Sequence, residues 1–131
     1  MYEEIVRSLK NIIAGSEPGR FTAQFVFDAA LPVFRGHFPG MPLLPGVMQI
    51  EMARHACERF IGRPCRLVRV VKAKFMGKVG PGELVHLEGA TADRNGYWRL
   101  KATLRVNATV VAALTLVLAE DVRSQASQVS R

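Results

Sequence analysis

The chain has 131 residues, the size of one domain, and 49% of them are hydrophobic, which excludes a disordered segment. Its net charge of +7 suits an anionic partner, but no nucleic-acid motif accompanies the charge and the aromatics do not interleave with it, so nucleic acid is not expected. The first residues lack the apolar run of a signal peptide, and the longest apolar stretch, Val110 to Ala119, falls short of the ~20 residues that span a bilayer; the expectation is a cytoplasmic protein with no membrane partner.

In chain order, Ile5, Val6, Leu9, Ile12 and Ile13 follow helical spacing and predict an amphipathic helix from about Tyr2 to Ile13. Ala14 to Gly19 reads as a turn. Phe21, Ala23, Phe25 and Phe27 alternate with other residues and predict a strand. A long loop runs from Asp28 to Leu44, and a long loop in a small domain is usually functional. Pro45 suits the first turn of a helix that extends to Ile61, where Gly62 and Pro64 stop it. Ile50, Ala53, Cys57, Phe60 and Ile61 fall on one arc of this helix, and Val47, Met48 and Met52 widen its apolar cover, so other structure should wrap it.

Four strand-like runs follow, at Cys65 to Met76, Leu84 to Thr91, Tyr97 to Asn107 and Val110 to Leu118. Asp93-Arg94-Asn95-Gly96 is a hairpin turn between the second and third. The last run is apolar at nearly every position, which predicts burial on both faces. The order is helix, strand, helix, then four strands: an α+β class with an antiparallel sheet. One domain over residues 1–122 and a polar tail over 123–131 are expected. The two cysteines, Cys57 and Cys65, form no CxxC pair and should be buried, reduced thiols, with no metal site.

The densest chemistry lies in Gly36-His37-Phe38-Pro39-Gly40-Met41-Pro42-Leu43-Leu44-Pro45-Gly46-Val47, followed by Glu51. Between Arg35 and Arg54, Glu51 is the only formally charged residue. An isolated carboxylate in an apolar stretch is costly unless something pairs with it or uses it. A histidine and a carboxylate are the usual groups for proton transfer near neutral pH. The start of the second helix adds backbone N–H groups without internal partners and the positive end of the helix dipole, which together can hold an oxygen that gains negative charge.

The pattern G-H-F-P-G-x-P-x-x-P-G-V-x-x-x-E resembles the signature of the β-hydroxyacyl-acyl-carrier-protein dehydratases, and Lys74 to Glu83 resembles that family's later strand and Pro-Gly turn. The likeness runs from about Arg20 to Glu120. It implies the hotdog fold, an antiparallel sheet wrapped around one long central helix. It also implies dehydration of 3-hydroxyacyl thioesters on acyl carrier protein to trans-2-enoyl thioesters. In those terms His37 is the general base, Glu51 the acid, and the amides of Gly46 and Val47 the carbonyl donors. Phe38 is an apolar wall of the substrate site or plain core. No metal or redox cofactor is implied. A homodimer or larger homo-oligomer is, with His37 of one subunit facing Glu51 of the next.

One departure stands out. Four residues past the acid the family has glutamine, and here stands His55, preceded by Arg54. His55 can donate a hydrogen bond to Glu51 across one helical turn, so it joins the expected site; a solvated helix face is the competing reading for Arg54 and His55. Lys72, Lys74 and Lys78 are candidates for a carrier-protein patch. Two other functions compete: a hotdog acyl thioesterase, which lacks the histidine signature, and a catalytically silent acyl-chain binding protein. A dehydratase that also isomerises the double bond typically has aspartate as its acid, so Glu51 favours simple dehydration.

Overall fold

The computed structural model describes residues 2–35 and 42–121. Its elements in chain order are α1 (Tyr2–Ser8), β1 (Leu9–Ala14), β2 (Arg20–Val26), α2 (Gly46–Ile61), β3 (Cys65–Phe75), β4 (Leu84–Arg94), β5 (Tyr97–Val106) and β6 (Thr109–Glu120), with one 3-10 turn at Pro32–Phe34. The six strands form a single antiparallel sheet in the order β1-β2-β4-β5-β6-β3. With α2 lying against it, this is the α+β hotdog architecture that the sequence implies.

Alternation decides which face packs. Trp98, Leu100, Ala102 and Leu104 of β5 are buried, and register sets them beside Leu118, Leu116, Leu114 and Ala112 of β6. Phe21, Ala23 and Phe25 of β2 and Val85 and Leu87 of β4 continue the same face. Onto it α2 lays Met48, Met52, Ala53, Ala56 and Cys57, all buried. Each large side chain placed there contributes ~1.5–3 kcal/mol. Gly89 lies opposite Phe21 in the β2–β4 register, and a Cβ at that position would stand 2.4 Å from the Phe21 ring. The missing side chain makes room for the ring, which stacks on Phe60 of α2 at 4.7 Å.

Two expectations are corrected. The first helix ends at Ser8, and Leu9–Ala14 is a strand paired with β2. Ile5 is buried within the helical turns, whereas Leu9 and Ile12 are half-buried and Ile13 is 59% exposed. A helix of a dozen residues is marginal alone, and the open edge of β2 offers this segment backbone partners that a longer helix would forgo. The second correction concerns β6. Its even-numbered residues from Ala112 to Leu118 are buried, but Ala113, Thr115 and Val117 are only partly so, because α2 packs against one face of the sheet and the described residues place nothing on the other. The Asn95-Gly96 turn is as predicted, with φ of 54° and 86° closing the β4–β5 hairpin.

Candidate functional site

The site is built on the start of α2. Pro45 stands as N-cap with extended φ and ψ and no capping side chain. The first amides to find acceptors are those of Met48 and Gln49, which both donate to the Pro45 carbonyl at 3.1 and 3.2 Å. The N–H groups of Gly46 and Val47 therefore have no acceptor among the described residues. Below the helix, the Leu44 N–H donates to the Val79 carbonyl at 2.8 Å, and Gln49 Nε2 donates to the Leu44 carbonyl at 3.2 Å. These bonds fix the angle at which the chain enters the helix. The Phe75 ring of β3 lies over Gly46, where a Cβ would meet it at 2.9 Å.

Glu51 lies two turns along, on the flank of α2 that faces the start of β3. It borders a cavity of about 510 Å³ shared with Arg54, Glu58, Arg66 and Leu67. Its carboxylate is not isolated. Arg54 Nε donates to both oxygens, at 3.2 and 3.0 Å. Arg54 Nη1 donates to Glu58 Oε1 at 3.0 Å and to the Cys65 carbonyl at 2.7 Å. Burial alone would lower the pKa of the Arg54 guanidinium, but the two carboxylates outweigh it and raise it. The reading of Arg54 and His55 as a solvated face is thus corrected: Arg54 is 9% exposed and His55 2%.

His55 makes no hydrogen bond to Glu51. It is turned toward α1, where the Tyr2 ring meets it edge-on at 5.5 Å, and Glu58 Oε2 stands 3.8 Å from its Nδ1. Neither ring nitrogen has a hydrogen-bond partner among the described residues. The expected bond from His55 to Glu51 is therefore replaced by the one from Arg54, because the packing of α2 turns Arg54 toward the start of β3 and His55 toward α1. Desolvation by burial lowers the His55 pKa from 6.5, opposed by Glu58 and assisted by Arg54 and Arg59. Its folded value lies below its unfolded one, so its contribution to stability is present above the unfolded value and is lost as pH falls through the folded one. Thermal unfolding should show this: from about pH 7.5 to about pH 5.5 the wild-type Tm falls more steeply than that of His55→Gln. Parallel slopes would remove His55 from the account of acid sensitivity.

Both cysteines are buried and free. Burial pushes the Cys57 thiol up to about 12 and the Cys65 thiol up to about 11, so neither is a thiolate nucleophile near neutral pH. No cluster of three or more His, Cys, Asp or Glu able to hold a metal is found among the described residues, and among them no helix is long and apolar enough to cross a membrane. His37 and Phe38 lie outside the described residues, as does the tail 123–131.

Four participants have no assigned role in the sequence reading: Arg54, Glu58, Tyr2 and the Cys65 carbonyl. Arg54 and Glu58 carried a signal, since Glu51, Arg54 and Glu58 at i, i+3 and i+7 share one helix face. Tyr2, whose ring lies 5.9 Å from the Arg54 guanidinium, and the Cys65 carbonyl carried none, because each reaches the cluster by the folding of a distant element.

Comparison with known proteins gives a consistent result. The family profile described as ApeI-like, ApeI dehydratase, matches residues 14–113. The 3-hydroxyacyl-[acyl-carrier-protein] dehydratase FabZ of Gluconobacter oxydans is 33% identical over 94 residues, 64% of this chain and 56% of the relative's length. Among solved structures, the dehydratase heterocomplex ApeI:P from Xenorhabdus doucetiae superposes with a TM-score of 0.71 at 21% identity, covering 86% of this chain and 96% of that one. The fluoroacetyl-CoA thioesterase FlK follows at a TM-score of 0.67 and 15% identity, covering 88% and 96%. At such identities the two structures speak for the fold, which dehydratases and thioesterases share.

Proposed function

Since the chain belongs to the ApeI-like dehydratase family, we propose that it removes water from 3-hydroxyacyl thioesters carried on acyl carrier protein. The observation that carries this reading is Glu51, bordering a cavity on the flank of the helix whose first two amides have no acceptor among the described residues, at family spacing from His37. The thioester carbonyl accepts from the N–H groups of Gly46 and Val47. His37 takes the α-proton, the enolate-like oxygen is stabilised by the helix start, and Glu51 protonates the departing hydroxyl, so the C–O bond breaks and a trans-2-enoyl thioester and water remain. Phe38 belongs to the apolar lining beside His37.

The assembly is proposed as a dimer through β3. This strand is one edge of the sheet, and it exposes Val68, Val70, Val71 and Phe75 by 40% or more, with Met76 at 51% and Val47 at 59% nearby. Edge strands with uncovered apolar side chains mark interaction sites. Glu51's cavity is bordered by the first residues of the same strand, so a partner docked there would bring its own residues to the acid. A different chain, as in the dehydratase heterocomplex above, is the other occupant that this edge would accept.

The outer sheet face supports a carrier-protein partner. Arg99 and Arg69 both stand beside Val117, Lys101 and Lys72 both beside Thr115, and Lys74 beside Ala113. Two rows of cations thus flank the small side chains of β6, roughly 10 Å apart. Arg105, farther along β5, is paired with Glu88 at 2.8 Å. An acidic helix laid over β6 would meet a row of cations on each side. Incubation with 3-hydroxyacyl carrier protein should yield enoyl product at a steady rate, and only free acid in that assay would favour the thioesterase reading. Arg99→Glu with Lys101→Glu should raise KM for the carrier-bound substrate about tenfold and leave a short pantetheine thioester unaffected. Equal effects on both substrates would move the docking surface elsewhere.

A further inference from the structure

We propose that Arg54 is a positioning residue that sets the orientation of Glu51 for proton transfer; this rests on the reading of Glu51 as the acid. A glutamate on a helix flank samples several rotamers. Here both carboxylate oxygens accept from a single Nε, 3.2 and 3.0 Å away, which selects one of them. The guanidinium is itself immobilised. Its Nη1 is held by Glu58 Oε1 and by the Cys65 carbonyl at 3.0 and 2.7 Å, and the same Glu58 oxygen accepts from the Cys65 N–H at 2.8 Å. The side chains of Arg54, Glu51 and Glu58 are 11%, 24% and 16% exposed, so little water competes for these bonds. The chain of contacts runs from the acid, through Arg54, to the first residue of the edge strand β3. Displacing Cys65 would displace the acid with it.

The competing account is that the cluster only docks β3 on α2. The two differ in where the effect appears. If Arg54 acts through Glu51, Arg54→Gln lowers kcat by ~10-fold or more with KM changed by less than ~3-fold, and in a Glu51→Gln background it lowers the residual kcat by no more than ~2-fold. Arg54→Lys keeps the charge but lacks the fork that reaches both carboxylates, so it should recover Tm without recovering kcat. These measurements use the full chain in its native assembly. If Arg54→Gln does not fold, Arg54→Lys alone decides, because a folded Arg54→Lys protein with wild-type kcat overturns the proposal. Losses in kcat that simply track losses in Tm and multiply in the Glu51→Gln background overturn it too. A fully active Glu51→Gln protein would instead remove the acid assignment on which the proposal stands. An inactive Glu51→Gln protein beside an unimpaired Arg54→Gln protein would remove only the role of Arg54.

Discussion

His37→Ala and Glu51→Gln each lower kcat for dehydration of a 3-hydroxyacyl carrier-protein substrate by at least ~100-fold, the scale on which a general base or acid contributes. The expectation rests on the spacing of the two residues and on the cavity that Glu51 borders on the flank of α2. Neither substitution should unfold the protein. Glu51→Gln keeps the side-chain volume and a carbonyl oxygen for Arg54 Nε, and Glu58 and Cys65 still hold Nη1. Steady-state assays on variants with native-like unfolding curves are the check. Near-wild-type turnover in either one is incompatible with the mechanism above.

The second large effect is a recovery. If the base of one protomer serves the acid of its neighbour, co-refolding inactive His37→Ala with inactive Glu51→Gln creates mixed dimers with one intact site each. Random pairing makes half of the dimers mixed, so about a quarter of wild-type activity returns. The motive is the exposed edge of β3 together with the cavity at its first residues. The same preparations, analysed for dimer content, supply the control. A mixture that dimerises normally yet stays inactive would place His37 and Glu51 in one subunit's site, and would leave β3 as an interface without a catalytic part.

Much of the architecture was readable from residue order. Alternation in Phe21 to Phe27 and in Tyr97 to Asn107 located β2 and β5, because in a sheet covered on one face the pleat sorts side chains by polarity. Pro45 and Gly62 bracketed α2, because one lacks the N–H a helix start does not need and the other adopts the φ of 81° that a helix end requires. β1 was not readable. Its isoleucines satisfy a helical period as well as an edge strand, and the choice depends on the backbone of β2 waiting beside it. β6 reads as doubly buried from the sequence because composition counts apolar residues without knowing what lies on each side of the sheet.

The candidate site divides along the same line. The motif from Gly36 to Glu51 by itself pointed to the family and to the residues proposed as acid, base and helix-start donors, since these depend on residue types at fixed short spacings within one stretch of chain. What surrounds the acid only the tertiary structure decided. Whether Arg54 or His55 reaches Glu51 depends on how α2 is rotated against β3 and α1, and that rotation is set by Met48, Met52, Ala53, Ala56 and Cys57 seating on the sheet. Once they are seated, Arg54 faces the first carbonyl of β3 and His55 faces Tyr2. Local spacing offers both residues as partners for the acid; long-range packing chooses between them.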